Sequence, residues 1–479
     1  MAPQKNLVVR ATTARDAASD GANDTDAKSQ AVKTRLDVTN DAHPSGREAS
    51  PRSQSSSPLE TLPPELRFRI LYILPDLQTL RSLVHASPIF HAQYRQSRDR
   101  MLRAVMGREF DGFLVDAYAT LMSRPQEFGS KMTDPHLYNF SDPFRLRFMS
   151  AFHLSVAQPL AHRYCEWALA NLQPTILAAV AEDTGGTTTE ALGLDDLKLQ
   201  RNEMIRVLRA IYRYETYYNL FGYNEDNCFR PQFTGDRINN VYFSHFEPWE
   251  VEAVGCIHVF IHEKCQEIVK RLKDDLYPRD VKFRLVDGVY RYEDAFRLTS
   301  EVNDYMRSII TRGLRIPTQL LGIDNDEELV PKLLEAVIRG KGSKDATIEG
   351  TLTTDAQWSR RYNLELPPTD RDEAAADRDP MEFTGDGEPP SGPPLGWVRL
   401  WRGIYSNIYG EYTPETVQRW GYVMWNKERW LGSDWVVWRQ WRHAQDRARE
   451  IELHYNWRPG QRNEDENLTM EDELMSLFE

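Results

Sequence analysis

The chain has 479 residues, of which 59 are basic and 72 acidic, giving a formal net charge of −13. This balance argues against a general binder of nucleic acid, because neutralising phosphates requires a basic surface. At about 150 residues per domain, the length allows roughly three domains.

The chain has only 4 cysteines, and none of them forms a C-x-x-C pair. This excludes a disulfide-rich secreted scaffold and a zinc ribbon, and it indicates a reducing compartment. No apolar run approaches the roughly 18–20 residues that a membrane span requires. The N-terminus lacks the apolar segment of a secretory signal. We therefore expect no membrane association and a cytoplasmic or nuclear location.

Residues 1–58 are predicted to form a disordered arm. They carry 8 basic and 7 acidic residues, few large apolar side chains and the low-complexity run SQSSSP. A segment of this composition cannot bury enough apolar surface to offset the entropy lost on ordering.

Three short helices are predicted over residues 59–110. Pro63-Pro64-Glu65 favours a first helix, because proline is tolerated in the first turn and glutamate suits the positive end of the helix dipole. Asp76 is a good N-cap for the second helix, and Ser87-Pro88 for the third. The apolar faces would hold Leu66, Ile70 and Ile73 in the first helix, and Leu77, Leu80, Leu83 and Val84 in the second. A unit this small must rest on the following domain, dock a partner, or do both.

These residues form a recognisable set of motifs: L-P-x-E-L at 62–66, P-D-L-x-x-L at 75–80 and S-P-x-F at 87–90, with Ile70 near the centre of the first helix. The set resembles an F-box, in the variant carried by a large group of F-box-like proteins of filamentous fungi. Many F-boxes place Trp in the third helix, where this chain has Phe90 or Tyr94.

A weaker similarity to the same fungal proteins continues along the chain. It covers F-x-x-F-x-P-W-E at 243–250 and R-W-G-Y-V-M-W at 419–425. With these two motifs included, the resemblance would span most of the chain outside the segments predicted to be disordered.

The resemblance implies a substrate adaptor of an SCF-type cullin–RING ubiquitin ligase. F-box helices of that family bind the SKP adaptor, which joins them to the cullin scaffold. By motif position, the adaptor-binding residues would be Leu62, Pro63, Leu66, Ile70, Leu77 and Leu80. The alternative is that 59–110 is a helical cap on the central domain and binds no adaptor.

A central α-helical domain is predicted over 111–363. Apolar residues at helical spacing indicate helices over 160–172, 197–221 and 295–309. The clearest stripe follows the helix start at Glu247-Pro248-Trp249, and its members are Val251, Val254, His258, Ile261, Cys265, Ile268 and Leu272.

One cluster in this domain has the donor types of a metal site. On a helix, His258, His262 and Cys265 stand at positions i, i+4 and i+7, so the three donors could converge. However, His258 and Cys265 also belong to the apolar stripe, where a core histidine and a buried thiol are the commoner explanation. We expect core packing and no bound cofactor.

Two acidic runs account for the whole net charge. Residues 364–395 hold 9 acidic and 2 basic residues, and residues 461–479 hold 7 acidic and 1 basic residue. We predict a disordered, solvated loop and tail. The alternative is a docking site for a basic partner.

The region 396–460 is rich in tryptophan. Trp420, Trp425, Trp430 and Trp435 recur every five residues, and Trp435, Trp438 and Trp441 every three. We predict helices packed on the central domain, because Trp buries a large area. A recognition surface of Trp interleaved with Arg is the alternative.

The predicted fold is mostly α, with a three-helix F-box-like unit followed by an irregular all-α domain. No phosphate-binding loop, dinucleotide fingerprint or nucleophile elbow occurs. We therefore expect no enzyme, and the resemblance to F-box proteins implies an adaptor that recruits an unidentified protein substrate. The alternative is a non-catalytic interaction or scaffold protein in which the F-box-like helices are only structural.

Overall fold

The mostly α prediction is confirmed, since 76% of the described residues are helical and none of them lies in a strand. The computed structural model describes residues 57–124, 142–183, 199–222, 235–272, 306, 309–338, 348, 351, 382–401 and 415–430. The predicted tail at 461–479, and the predicted arm up to residue 56, lie outside these residues. Within them, no helix combines the length and the apolar character needed to cross a bilayer.

The described helices are numbered in chain order. They are α1 (Pro64–Ile73), α2 (Leu77–Ala86), α3 (Pro88–Gln96), α4 (Arg98–Glu109), α5 (Leu114–Met122), α6 (Pro143–Phe152), α7 (Gln158–Asp183), α8 (Arg201–Phe221), α9 (Gly235–Val241), α10 (Pro248–Arg271), α11 (Arg315–Leu321), α12 (Asp326–Ile338), α13 (Leu395–Trp401) and α14 (Glu415–Arg419). A π-turn at His153–Ala157 joins α6 to α7, and a 3₁₀ turn covers Lys427–Trp430.

The N-terminal helices begin where the capping residues predict. Asp76 accepts a hydrogen bond from the Thr79 N–H at 2.6 Å, and Ser87 accepts one from the Phe90 N–H at 3.3 Å. The structure also divides the predicted third helix into α3 and α4. Ser97 separates them, and its N–H bonds back to the Tyr94 carbonyl at 3.1 Å.

One continuous core crosses the predicted boundary at residue 110. Leu71, Leu77, Leu80, Val84 and Phe90 belong to the same buried cluster as the helices that follow. Phe110 is fully buried, and its ring centroid lies 4.8 Å from that of His153 and 5.0 Å from that of Phe113. Residues 59–110 therefore rest on the body of the protein rather than forming a separate domain.

Helices α8 and α10 pack together at the centre of the body. The predicted α10 stripe is confirmed, because all seven of its residues are buried. Its start is fixed by Pro248 and by a capping box, in which Glu250 bonds back to the Glu247 N–H at 3.1 Å. An equivalent box at Gln200 and Glu203 starts α8.

The second half of the predicted acidic loop is ordered. Residues 382–394, called the strap below, lie against α8. Asp386 forms an ion pair with Arg206 at 2.8 Å, and the Gly385 carbonyl accepts from the same guanidinium at 2.6 Å. The prediction of a disordered, solvated run over 364–395 is therefore wrong for 382–395, since local composition does not reveal distant arginines.

A buried ion pair ties the Trp-rich region to α8. The Glu203 carboxylate is fully buried and accepts from Arg429 Nε at 2.6 Å and Nη2 at 2.7 Å. Trp397, Trp425 and Trp430 are at most 1% exposed. Core packing is confirmed for these three tryptophans, whereas Trp435, Trp438 and Trp441 lie outside the described residues.

Replacing Arg429 by Ala should destabilise the fold by about 3–5 kcal/mol, because it leaves the Glu203 carboxylate buried without its countercharge. Urea unfolding measures this loss. The matched control is Arg147→Ala, which breaks the half-exposed pair with Asp99 and should cost less than about 1 kcal/mol. Equal losses of stability in Arg429→Ala and Arg147→Ala would show that the Glu203–Arg429 pair is not a buried, stabilising ion pair.

Stability should also depend on the ionisation of Glu215. Burial raises the pKa of this carboxyl to about 7 from an ordinary 4.5, and the bond from the Leu314 N–H only partly opposes the rise. Between pH 4.5 and about 7, the Glu215 carboxyl is ionised in the unfolded chain but still protonated in the folded protein. Its contribution to the free energy of unfolding therefore falls as pH rises. Glu215→Gln should thus unfold at higher urea than wild type at about pH 8, with a smaller gain at about pH 5.

The control for this pH dependence is Glu65→Gln, which removes an exposed carboxyl in α1 and should change stability little at either pH. A gain for Glu215→Gln that is the same at both pH values would show that the ionisation of Glu215 is not its cause.

Candidate protein-docking surface

Helix α1 carries apolar residues on two faces, and the fold covers only one of them. The inner face holds Leu71, which is fully buried, with Phe68 and Leu74 packed against the core. On the outer face, Leu66 is 46% exposed and Ile73 is 63% exposed. An apolar helix face normally packs against other apolar surface, whereas nothing in the described residues covers the outer face of α1.

The outer face has a regular geometry. Leu66, Ile70 and Ile73 stand at positions i, i+4 and i+7, which places them one above another along the helix. Ile70, between the other two, is half-buried and contacts the core with part of its side chain. We call these three residues the α1 surface.

The segment before α1 is fixed by polar contacts. Arg67 Nη1 donates to the carbonyls of Glu60 and Leu62 at 2.8 and 2.9 Å. The Ser87 hydroxyl donates to the Glu60 carboxylate. This bond joins the lead-in of α1 to the start of α3. Exposed apolar side chains flank the junction, Leu59 at 49% and Ile89 at 38% exposure.

The far end of α1 is held by α4. No side chain of α1 itself caps its last turn, but Arg108 Nη2 donates to the carbonyls of Tyr72 at 2.6 Å and Leu74 at 2.7 Å. The Arg100 guanidinium lies 5.1 Å from the Phe68 ring centroid, a cation–π distance. Both ends of α1 are therefore anchored, and the exposed face is presented on a fixed helix.

The sequence-predicted adaptor residues divide into two groups. Pro63 and Leu66 are exposed, whereas Leu62 and Ile70 are half-buried. The remaining two are in the core, Leu77 at 2% exposure and Leu80 at 3%. They pack inside the helical unit and cannot contact a partner in this conformation, so the structure removes them from the docking set.

Sequence reasoning left Ile73 out of the docking set, although it belongs to the same spacing as Leu66 and Ile70. It is the most exposed of the three. The helical period could have included it. The Glu60–Ser87 contact, which lies between exposed Leu59 and Ile89, joins residues distant in sequence, and no local pattern reveals it.

A buried polar chain connects this unit to the body. Glu109 accepts from the Leu77 N–H at 2.8 Å and bonds to His153 Nε2 at 3.1 Å. His153 Nδ1 lies 3.0 Å from the Tyr212 hydroxyl of α8. His153 thus links Glu109 of α4 to Tyr212 of α8 through its two ring nitrogens. Burial raises the pKa of Tyr212 well above its ordinary value, so the hydroxyl keeps its proton.

The candidate metal ligands do not form a site. Cys265 is fully buried and His258 is 7% exposed, while the ring centroids of His258 and His262 lie 6.1 Å apart. Burial, with a smaller effect from His262, lowers the pKa of His258 to about 3, and burial raises that of Cys265 to about 12. Among the described residues, no three acidic, histidine or cysteine side chains group as metal ligands would.

The two faces of α1 should respond differently to truncation. Leu71→Ala should cost about 2–5 kcal/mol of stability, because it opens a cavity in the core. Leu66→Ala removes a half-exposed side chain and should stay within about 0.5 kcal/mol of wild type. Chemical denaturation of both variants measures the difference. A loss for Leu66→Ala as large as that for Leu71→Ala would show that the outer face is covered.

Comparison with known proteins adds no further assignment. The chain matches no protein-family model, no curated protein and no solved structure. A proposal about its function therefore rests on its own motifs and on the geometry of the α1 surface.

Proposed function

We propose that this chain is a substrate adaptor of an SCF-type cullin–RING ubiquitin ligase. The α1 surface and its lead-in bind the SKP adaptor, and the helical body recruits a protein substrate. The chain itself carries no catalytic step in this proposal, since ubiquitin transfer belongs to the rest of the ligase.

The observation that carries the proposal is the uncovered apolar face of α1. Exposing Leu66 and Ile73 to water costs roughly 25 cal/mol for each Å² of apolar surface that a partner could bury. The same face follows the L-P-x-E-L motif on which the resemblance to F-box proteins rests. The motif and the unpartnered face therefore point to the same helix.

The contact set that we propose differs from the motif set. Leu62, Pro63, Leu66 and Ile70 remain from the motif, and Ile73 joins them. Leu77 and Leu80 support the surface from behind, because they bury α2 against the same core that holds Leu71. Their replacement would act through folding rather than through contact.

The alternative is a scaffold or interaction protein in which the F-box-like helices are only structural. The burial of Leu77 and Leu80 favours it, since two residues of the motif serve the chain's own core. The shared core across residue 110 agrees with a cap as well. The two functions differ in one respect, which is whether the α1 surface binds a SKP adaptor.

The test is co-purification of the SKP adaptor and cullin with the full chain. Leu66→Ala and Ile73→Ala should each weaken binding by about 1–2 kcal/mol, and Leu66→Asp combined with Ile73→Asp should abolish it. Ile70→Ala should also weaken binding by about 1–2 kcal/mol, with some loss of stability because Ile70 contacts the core.

The control is Val115→Asp in α5, where the wild-type side chain is 79% exposed and lies outside the proposed surface. It should leave binding unchanged. Thermal unfolding of the double Asp variant should match wild type, which separates lost contact from lost folding. Undiminished co-purification of the double variant would exclude the α1 surface, and absence of SKP from wild type would favour the scaffold.

A further inference from the structure

A small open pocket, with a cavity volume of about 30 Å³, lies between α8, the start of α10 and the strap. Small side chains, Ala210 and Ala253, leave space where the two helices approach each other. Trp249 and Val423 supply apolar wall, and Pro390 to Gly392 of the strap line the remaining side. The pocket is therefore concave and partly desolvated, as binding sites for small groups are.

Three guanidinium groups line this pocket, because Arg206, Arg209 and Arg213 recur at spacings of three and four along α8. Among the described residues, Glu250 is the one carboxylate that lines the pocket. Arg206 pairs with Asp386 at 2.8 Å, and Arg213 pairs with Asp116 at 2.7 Å and with Glu250 at 2.9 Å. Both arginines thus have their countercharges within the protein.

Arg209 differs from its two neighbours. Its Nε donates to the Gly112 carbonyl at 2.7 Å and its Nη1 to the Pro390 carbonyl at 2.5 Å. Both partners are neutral, and no described carboxylate lies within ion-pair distance of this guanidinium. Its Nη2 forms no hydrogen bond to any described residue, and Arg209 lines the pocket, so donors of this guanidinium remain available to a ligand there.

The electrostatics agree with this geometry. Burial, together with the charges of Arg213 and Arg206, lowers the pKa of Arg209 despite the opposing effect of Asp116 and Glu250. The pKa of Arg213 is instead raised by its two carboxylates, which outweigh the burial. Burial also lowers the pKa of Arg206, and Asp386 only partly opposes it. What distinguishes Arg209 is that no described carboxylate pairs with it.

We infer that the pocket binds an oxyanion, a carboxylate or a phosphate monoester, with Arg209 as its principal donor. A guanidinium presents parallel N–H groups that match the oxygens of either group. The apolar wall at Trp249 and Val423 would exclude water from one side of the ion pair. This site is independent of the α1 surface, and neither inference requires the other.

Calorimetric titration of the full chain with inorganic phosphate, and separately with acetate, tests the site at ionic strength held constant with sodium chloride. We expect saturable binding of one anion per chain by at least one of the two. Binding of phosphate alone would indicate a phosphate monoester as the natural group, and binding of acetate alone a carboxylate. If neither anion binds, the inference is wrong.

Arg209→Gln should weaken anion binding at least tenfold. The control is Arg69→Gln, which removes an exposed arginine of α1 remote in sequence from the pocket and should leave the affinity unchanged. Binding that survives Arg209→Gln would show an adventitious ion only, and the inference would fall.

Because Arg209→Gln also removes two bonds to backbone carbonyls, a second variant keeps Arg209 in place. Ser391 is exposed and lines the pocket, so Ser391→Asp supplies a carboxylate from the strap itself. It should raise the thermal midpoint above that of the isosteric Ser391→Asn and reduce anion binding at least tenfold. Equal midpoints with undiminished anion binding in Ser391→Asp would overturn the inference.

Discussion

The fold depends on the Glu203 carboxylate, which is fully buried at the first turn of α8. Arg429 neutralises it, and the N–H groups of Gln200 and Asn426 complete its hydrogen bonds at 2.9 and 3.1 Å. A charge buried this deeply is tolerated only when it is paired and hydrogen-bonded. The Glu203–Arg429 ion pair therefore fixes the 3₁₀ turn at Lys427–Trp430 against α8, although more than 200 residues separate the two side chains in sequence. Arg206, one turn along α8, extends the same constraint to the strap.

A partly buried carboxylate, Glu109, fixes the N-terminal helices in a similar way. Glu109 bonds to the first amide of α2 and to His153, which reaches α8 through Tyr212. Arg108, the residue before Glu109, caps the end of α1. One turn of α4 therefore holds both α1 and α2. A protein bound to the α1 surface would consequently be held at a fixed orientation to the body. An adaptor needs such rigidity, since a substrate must be presented at a defined place.

Sequence reasoning succeeded where the information is local. The α10 stripe and the caps at Asp76 and Ser87 depend on spacing within one or two turns, and all are confirmed. Sequence reasoning was wrong where the residue that a side chain contacts is distant in sequence. Acidic composition around Asp386 predicts a solvated loop, because Arg206 lies 180 residues away. Leu77 and Leu80 show the same limit, since periodicity identifies an apolar face without showing whether core or partner covers it.

Helix α1 illustrates why burial decides between core and surface. Leu, Ile and Phe occupy five positions between Leu66 and Ile73, which is too many for one face of a ten-residue helix, so one set had to point outward. The core covers the set that includes Leu71, so Leu66 and Ile73 of the α1 surface contribute little to the chain's own stability. A surface that exposes apolar area without stabilising the fold is free to serve binding. The motif residues Leu66 and Ile70 lie on it, and this is why the proposed adaptor contact is assigned to α1 rather than to α2.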